Sequence, residues 1–199
     1  INTIIDKSGR GLNGTKVNDA SIYDAAEGAI DFTTGAASYT FTESTFGEVS
    51  IWFRAKFKTG AAIDNGDILL VDEGGSDFLK VQSNVGGSEE IRWKVHGDNK
   101  KFHPMHNGAE AAIVADTKYN FVFERNASGV FKAQMSNGTS SLTECTKIAA
   151  GDLTVDDVFT VDKFKGGNGM LFYELLIFNN VITGDDATYL DEYLKSENG

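Results

Sequence analysis

Alternating apolar and polar positions are the strongest pattern along the chain. Residues 50–57 and residues 90–96 both alternate with a period of two. This period predicts β-strands with one buried face and one outward face. The predicted inward positions are Ile51, Phe53, Ala55 and Phe57 in the first segment, and Ile91, Trp93 and Val95 in the second.

Further strands follow from shorter apolar or alternating runs. Residues 119–125 and 131–135 flank an Asn-Ala-Ser-Gly turn and predict a hairpin. Residues 171–178 are apolar on both faces, which predicts a central strand covered on both sides. The remaining predicted strands are residues 29–32, 68–71 and 78–82.

The spacing of the turns indicates the fold class. Asn-Gly and Gly-Gly pairs recur between short strand patterns, which is typical of sandwiches and jelly rolls. One helix is predicted near the end, because Asp185 and Asp186 open a segment whose apolar residues form one stripe. We therefore predict one all-β domain over residues 1–199, a two-sheet antiparallel β-sandwich with one short C-terminal helix.

Charge narrows the range of partners. The 199 residues include 18 Lys and Arg against 29 Asp and Glu, for a net charge of -11. Such a field repels phosphate, so we expect no nucleic-acid partner.

No apolar run approaches the length of a membrane-spanning helix, so no membrane insertion is expected. The first residues show no secretory signal pattern, and we expect a mature or excised segment. The single cysteine, Cys145, is predicted to be buried and structural.

Short motifs in chain order carry a family likeness. Residues 6–15 read DKSGRGLNGT, residues 29–32 read AIDF, and residues 50–54 read SIWFR. Residues 118–123 read KYNFVF, and residues 173–183 read YELLIFNNVIT before the predicted helix. In this order they resemble the laminin G-like, concanavalin A-like jelly-roll superfamily of lectins and glucanases. The likeness extends over nearly the whole chain.

The resemblance implies a jelly roll, but it leaves the activity open. The superfamily includes binding modules, glycoside hydrolases and polysaccharide lyases, so fold alone does not decide function. Related folds can hold a structural calcium with an acid near the last strand. Tyr173 stands where that acid is usual, so the resemblance does not imply calcium at this position.

Catalytic motifs of the jelly-roll enzymes are missing from the sequence. The E-x-D-x-x-E strand of retaining hydrolases does not occur, and neither do the R-x-E-L-R and Q-I-H strands of alginate-lyase-type jelly rolls. We therefore predict a protein that is not an enzyme. A divergent polysaccharide lyase or glycoside hydrolase remains the second alternative.

Outward positions of two predicted strands suggest a ligand site. Trp52 and Arg54 face away from the core side of their strand, and Arg92, Lys94 and His96 do so on theirs. If the two strands share a sheet, these residues form a basic, aromatic strip that suits an anionic polysaccharide. In the alternative interpretation, Trp52 is a core residue beneath a covering loop.

All three histidines lie close together in sequence. His96, His103 and His106 fall within the locally basic residues 96–107. They could contact a ligand or gather a transition metal. They could also supply a base for a lyase, with Lys100 or Lys101 neutralising an acidic sugar. The alternative is a long solvated loop in which the histidines have no common role.

Calcium is the one cofactor that the sequence leaves open. Asp64 and Asp67 form an oxygen-rich turn, and residues 72–77 form another. Neither has the full ligand spacing of an EF-hand, so solvated turns are the alternative. We predict no other cofactor.

Together these patterns favour a non-catalytic module that binds a carbohydrate or surface polymer. The expected partner is a glycan or polysaccharide, including an anionic one, with further protein partners if the module belongs to a larger assembly. We expect it outside the cell or on a virion or cell surface. The first alternative is a structural or attachment module of a virion or phage surface.

Overall fold

Two antiparallel sheets form the body of the protein. The computed structural model describes residues 3–4, 13–17, 21–32, 38–57, 68–72, 74–85, 88–96, 98–106, 108–138, 140–148, 153–166 and 170–196. The eight-stranded sheet has the order β1 (Thr3–Ile4), β2 (Gly14–Lys16), β5 (Ser38–Phe46), β16 (Phe159–Lys165), β7 (Ile68–Val71), β8 (Phe78–Val85), β9 (Ser88–Val95) and β10 (Asp98–Phe102).

The second sheet has seven strands. Its order is β15 (Thr143–Glu144), β14 (Phe131–Ser136), β13 (Lys118–Arg125), β6 (Val49–Phe57), β17 (Met170–Phe178), β4 (Ala29–Phe32) and β3 (Ser21–Asp24). A separate pair is formed by β11 (Met105–His106) and β12 (Ala109–Glu110). The predicted all-β sandwich of two antiparallel sheets is confirmed.

The core lies between the two sheets, and aromatic rings fill it. Trp93 on β9 meets Phe123, Phe131 and Phe159 edge to face, at centroid distances of 5.8, 4.6 and 5.3 Å. Phe53 on β6 stacks on Phe121 at 4.7 Å. Such pairs add to the free energy gained by burying the rings. All seven predicted inward positions of β6 and β9 are buried, which confirms their alternation.

One helix, α1 (Gly184–Ser196), packs on the outer face of the seven-stranded sheet. Its Leu194 is fully buried against Trp52 of β6 and Val122 of β13. Asp185 and Asp186 lie in its first turn, where the helix dipole favours negative charge. The predicted helix near the C-terminus is confirmed.

Several strands do not show in the sequence pattern. In β16 the pairing register with β5 shifts between Val161 and Lys163, so its alternation is interrupted by a bulge. β10 and β11 lie within residues 96–107, so the alternative of one long solvated loop there is wrong. β10 pairs with β9, so the alternation of inward and outward side chains continues through Asp98–Phe102.

Candidate functional site

Arg92 and Lys94 of β9 lie on the outer face of the eight-stranded sheet. Their neighbours Ile91, Trp93 and Val95 are fully buried in the core. Because successive side chains of a strand point to opposite faces, Arg92 and Lys94 project away from the core. Both are partly exposed. The predicted outward orientation of these two residues is confirmed.

The pairing register places further residues beside these two cations. Lys80 of β8 and Lys101 of β10 are the cross-strand partners of Arg92. Phe78 of β8 is a partner of Lys94. Directly opposed Cβ atoms lie about 4.5–5.5 Å apart, so neighbouring strands bring the charges into one row.

Phe78 lies among these cations. The Lys80 Nζ is 4.8 Å from the centroid of its ring, and the Lys94 Nζ is 5.7 Å from it. Lys163 of β16 joins the same face, because it pairs with Val71, which pairs in turn with Phe78. We call this surface the basic sheet face and define it by Phe78, Lys80, Arg92, Lys94, Lys101 and Lys163.

The cations of the basic sheet face are held in defined positions. Lys80 and Lys163 are each 9% exposed and packed among neighbours, whereas Arg92, Lys94 and Lys101 are partly exposed and supply the accessible charge of the face. Arg92 and Lys101 also make further interactions within the protein. A face of this kind presents ordered cations, and ordering them in advance lowers the entropy cost of binding an anion.

Trp52 and Arg54 lie on the opposite side of the molecule. Their strand, β6, belongs to the seven-stranded sheet, whereas β9 belongs to the eight-stranded one. The predicted strip that combined Trp52 and Arg54 with Arg92, Lys94 and His96 is therefore wrong. Residues facing outward from two stacked sheets point in opposite directions.

Trp52 is a core residue beneath the helix. It is 2% exposed, packs with Val122 and Leu194, and donates its indole N–H to the Ser50 Oγ at 2.7 Å. The covering element is α1 rather than a loop. An open stacking platform for a sugar at Trp52 is excluded in this arrangement, because the helix covers the ring.

Arg54 holds the end of the helix. It is 5% exposed, and its Nη1 donates to the carbonyl oxygen of Leu194 at 2.7 Å. Its guanidinium also lies 5.3 Å from the ring centroid of Tyr173. A cation at a helix C-terminus is favoured by the dipole. Arg54 thus stabilises the docked helix and is not presented to solvent.

Tyr173 takes part in a polar cluster where the family resemblance places an acid. Its hydroxyl donates to the Glu27 Oε2 at 2.8 Å, and the Glu27 Oε1 accepts from the Lys56 Nζ at 2.6 Å. Both hydrogen bonds lower the pKa of Glu27 and keep its carboxylate ionised. The bond from Lys56 has the larger effect. Lys118 lies 4.9 Å above the Tyr173 ring. Two cations over one ring are a poor setting for a calcium ion.

His96 lies beyond the end of β9, at one rim of the sandwich. Its φ of 45° is in the left-handed region. Its backbone N–H donates to the Asp77 Oδ1 at 2.6 Å, and the Asp77 Oδ2 accepts from the Thr160 N–H at 2.9 Å. The His96 ring is exposed, and its Nδ1 lies 3.1 Å from the Asp157 Oδ2. His96 is therefore at the rim and not in the row of Arg92 and Lys94.

The histidines have separate surroundings. The His103 Nδ1 lies 3.0 Å from the Glu110 Oε1, while His96 faces Asp157. His106 is in β11 and pairs with Ala109. Within the ranges that the structure describes, no group of three or more His, Cys, Asp or Glu could hold a metal ion. Asp64 and Asp67, the predicted calcium candidates, lie outside the described residues.

Lys100 faces the other way from its neighbour Lys101. It is the cross-strand partner of the inward-facing Trp93 and is 9% exposed. Its Nζ lies 3.0 Å from the Asp98 Oδ2. The basic run in the sequence is therefore divided by the alternation of β10. Lys101 belongs to the basic sheet face, and Lys100 is an edge residue of the core side.

Three residues of the basic sheet face are not predicted as site residues by the sequence, namely Phe78, Lys80 and Lys163. Lys101 is offered there only as a cation beside the histidines. Residues 78–82 carried a usable signal, since Leu79 and Val81 are buried and alternate with Phe78 and Lys80. Nothing in the local sequence indicates that β8 pairs with β9. Lys163 was hidden by the bulge of β16.

Cys145 is 5% exposed, which confirms its predicted burial. Burial raises the pKa of its thiol to about 12, so it carries no thiolate at neutral pH. No helix in the described ranges is long and apolar enough to span a membrane.

Comparisons with known proteins support the fold. No protein-family model and no curated protein matches the chain. Among solved structures, it resembles the receptor-binding domain of botulinum neurotoxin D, with a TM-score of 0.59 and 14% identity over 97% of this chain and 52% of that one. It also resembles the carbohydrate binding module CBM66 from Bacillus subtilis, with a TM-score of 0.53 and 14% identity over 82% and 94% of the two chains.

A third similar structure is the binding domain of botulinum neurotoxin DC in complex with SialylT, with a TM-score of 0.61 and 13% identity over 95% of this chain and 48% of that one. The chain spans about half the length of the toxin domains. At such identities the likeness shows a shared β-sandwich fold, and the function has to be argued from the site.

Proposed function

We propose that the chain is a non-catalytic module that binds an anionic glycan or surface polymer outside the cell, through the basic sheet face. The observation that carries the proposal is the row of Lys80, Arg92 and Lys101, with Phe78 and Lys94 beside it, on a protein of net charge -11. Lysine and arginine donate hydrogen bonds to sulfate and carboxylate oxygens. Arginine can bind two oxygens of one such group at once.

The overall acidic charge does not oppose this proposal at short range. At physiological ionic strength, charges farther apart than about 8 Å are largely screened from one another. An anionic chain on the basic sheet face interacts mainly with the cations that it touches. The remaining negative charge discourages anionic polymers from binding elsewhere on the protein.

Two further observations favour glycan binding without catalysis. Solved structures with a similar fold include a carbohydrate binding module and a toxin domain in complex with SialylT. The sequence has none of the strand motifs by which jelly-roll hydrolases and lyases are recognised. These points support a binding module, and the partner is inferred from the charge of the basic sheet face.

A polysaccharide screen tests the proposal. The protein is titrated by calorimetry with heparin, alginate and polygalacturonate, with neutral dextran as the uncharged comparison. We expect at least one anionic polymer to bind and dextran not to bind through this face. Each charge-assisted hydrogen bond contributes about 1.5–3 kcal/mol, so Arg92→Ala should weaken binding about tenfold or more.

The control variant is Lys132→Ala, which removes a partly exposed lysine from the other sheet. It should leave the affinity for the anionic polymer unchanged. If no anionic polymer binds, or if Arg92→Ala and Lys132→Ala weaken binding equally, the basic sheet face is not the site.

A further inference from the structure

The pairing register of the eight-stranded sheet continues one row of residues across the strands beyond β8 and β9. Phe78 of β8 pairs with Lys94 of β9 on one side and with Val71 of β7 on the other. Val71 pairs in turn with Lys163 of β16. These four residues therefore lie side by side on four neighbouring strands, with the cations Lys94 and Lys163 at the two ends.

Two threonines extend this row beyond Lys163. Thr40 of β5 is the cross-strand partner of Lys163, and Thr15 of β2 is the partner of Thr40. The row thus crosses six strands, from β9 to β2. At about 4.8 Å between neighbouring strands, it is about 24 Å long. We call it the cross-strand row and define it by Lys94, Phe78, Val71, Lys163, Thr40 and Thr15.

The cross-strand row lies on the outer face of its sheet and is open to solvent. Residues directly opposed in neighbouring strands share a face, and Lys94 faces outward. The chain neighbours of the row point the other way, because the core contains Leu70, Leu79, Phe164 and Tyr39. Five of the six residues in the row are partly or fully exposed, and Lys163 is 9% exposed. A ligand on the basic sheet face can therefore extend along the row.

The chemistry of the cross-strand row changes along its length. Its accessible charge is at the β9 end, while the middle presents the apolar surfaces of Phe78 and Val71, which suit the C–H faces of sugars. The far end presents two threonine hydroxyls. Thr40 donates its hydroxyl to the Thr15 carbonyl oxygen at 3.4 Å, so the Thr40 oxygen is oriented as an acceptor for sugar hydroxyls.

We infer that the cross-strand row binds its ligand as an extended chain lying across the strands, so that the protein recognises the interior of an anionic polysaccharide and not a single terminal sugar. This inference rests on the proposed function, which places acidic sugars over Arg92, Lys94 and Lys101. A pyranose unit is about as long as one strand spacing, so the row takes about five or six sugars. The sugars over Thr40 and Thr15 make contacts that need no charge.

Oligosaccharides of two lengths test this inference. Disaccharides and octasaccharides prepared from heparin, alginate and polygalacturonate are titrated into the whole chain, with amide chemical shifts as the readout because NMR measures weak binding. We expect an octasaccharide to bind more tightly than the disaccharide of the same polymer, because only the longer chain reaches β5 and β2.

Thr40→Glu separates the two ends of the cross-strand row. It places a carboxylate four strands from Lys94, about 19 Å away, which exceeds the screening length of about 8 Å. The disaccharide affinity should therefore be unchanged. The octasaccharide loses a hydrogen-bonding contact and meets a like charge, so its affinity should fall about three- to tenfold.

Thr45→Glu is the matched control, since Thr45 is exposed on the same strand but pairs with Thr160, outside the cross-strand row. It adds the same charge and should leave both affinities unchanged. Thermal melts establish that each variant is folded.

The inference is overturned if disaccharide and octasaccharide bind equally, or if Thr40→Glu weakens octasaccharide binding no more than Thr45→Glu does. The proposed function survives either result as long as Arg92→Ala still weakens binding. If none of the oligosaccharides binds, the proposed function fails together with this inference.

Discussion

Glu124 shows what the burial of a single charged side chain costs in stability. Its carboxylate is almost fully buried, and this burial raises its pKa above the ordinary value of 4.5, although Lys132 and Ser50 act in the opposite direction. An ionised group in such a place costs folding free energy.

Glu124→Gln should stabilise the protein at neutral pH. Because the folded pKa lies above the unfolded one, ionised Glu124 destabilises the fold once the pH exceeds the folded pKa, and the effect vanishes below the unfolded pKa. The difference in melting temperature between the variant and the parent should therefore grow from pH 4 to pH 8. Thermal melts across this range measure it.

The matched comparison is Glu144→Gln, whose side chain is 67% exposed. It should show no comparable rise with pH. A difference for Glu124→Gln that is constant with pH, or that falls as pH rises, would contradict the assigned shift.

At the scale of elements, the hairpin of β13 and β14 is tied to the segment that precedes β16. Arg125 donates to the carbonyl oxygens of Gly47, Val155 and Asp157. Gly129 in the hairpin turn has a φ of +73°, and a Cβ there would lie 2.2 Å from the Val155 carbonyl oxygen. The turn therefore needs glycine both for its backbone angle and for its close approach.

Gly129→Ala should destabilise the protein more than Gly28→Ala. Gly28 has a similar φ of +67° but nothing within 4 Å of an added Cβ, so its substitution adds only the left-handed backbone cost of about 1–2 kcal/mol. Gly129→Ala adds the clash with Val155 to the same cost. Chemical denaturation of both variants measures the difference, and equal losses would show that the contact with residue 155 is unimportant.

The elements differ in how far the sequence predicts them. β6, β9 and the β13–β14 hairpin follow from their alternation, because one face of each is covered by the core. β16 does not, because its bulge interrupts the period. Short strands such as β15 depend on pairing with a distant strand and have little pattern of their own.

At the scale of the whole molecule, the two outer faces differ in what covers them. One carries the basic sheet face, and the other is covered in part by α1. Local alternation correctly predicts that Trp52 and Arg92 both point outward. It does not predict that β6 and β9 belong to different sheets, or that a helix more than a hundred residues later covers Trp52. Those facts depend on long-range pairing.

We propose that the eight-stranded sheet binds an anionic glycan on its outer face. Backbone amide chemical-shift mapping during titration with the anionic polysaccharide that binds best tests this claim most directly. We expect the largest shifts on β8, β9 and β10, around Phe78, Arg92 and Lys101. Shifts confined to α1, β13 and β14, or no shifts at all, would contradict it.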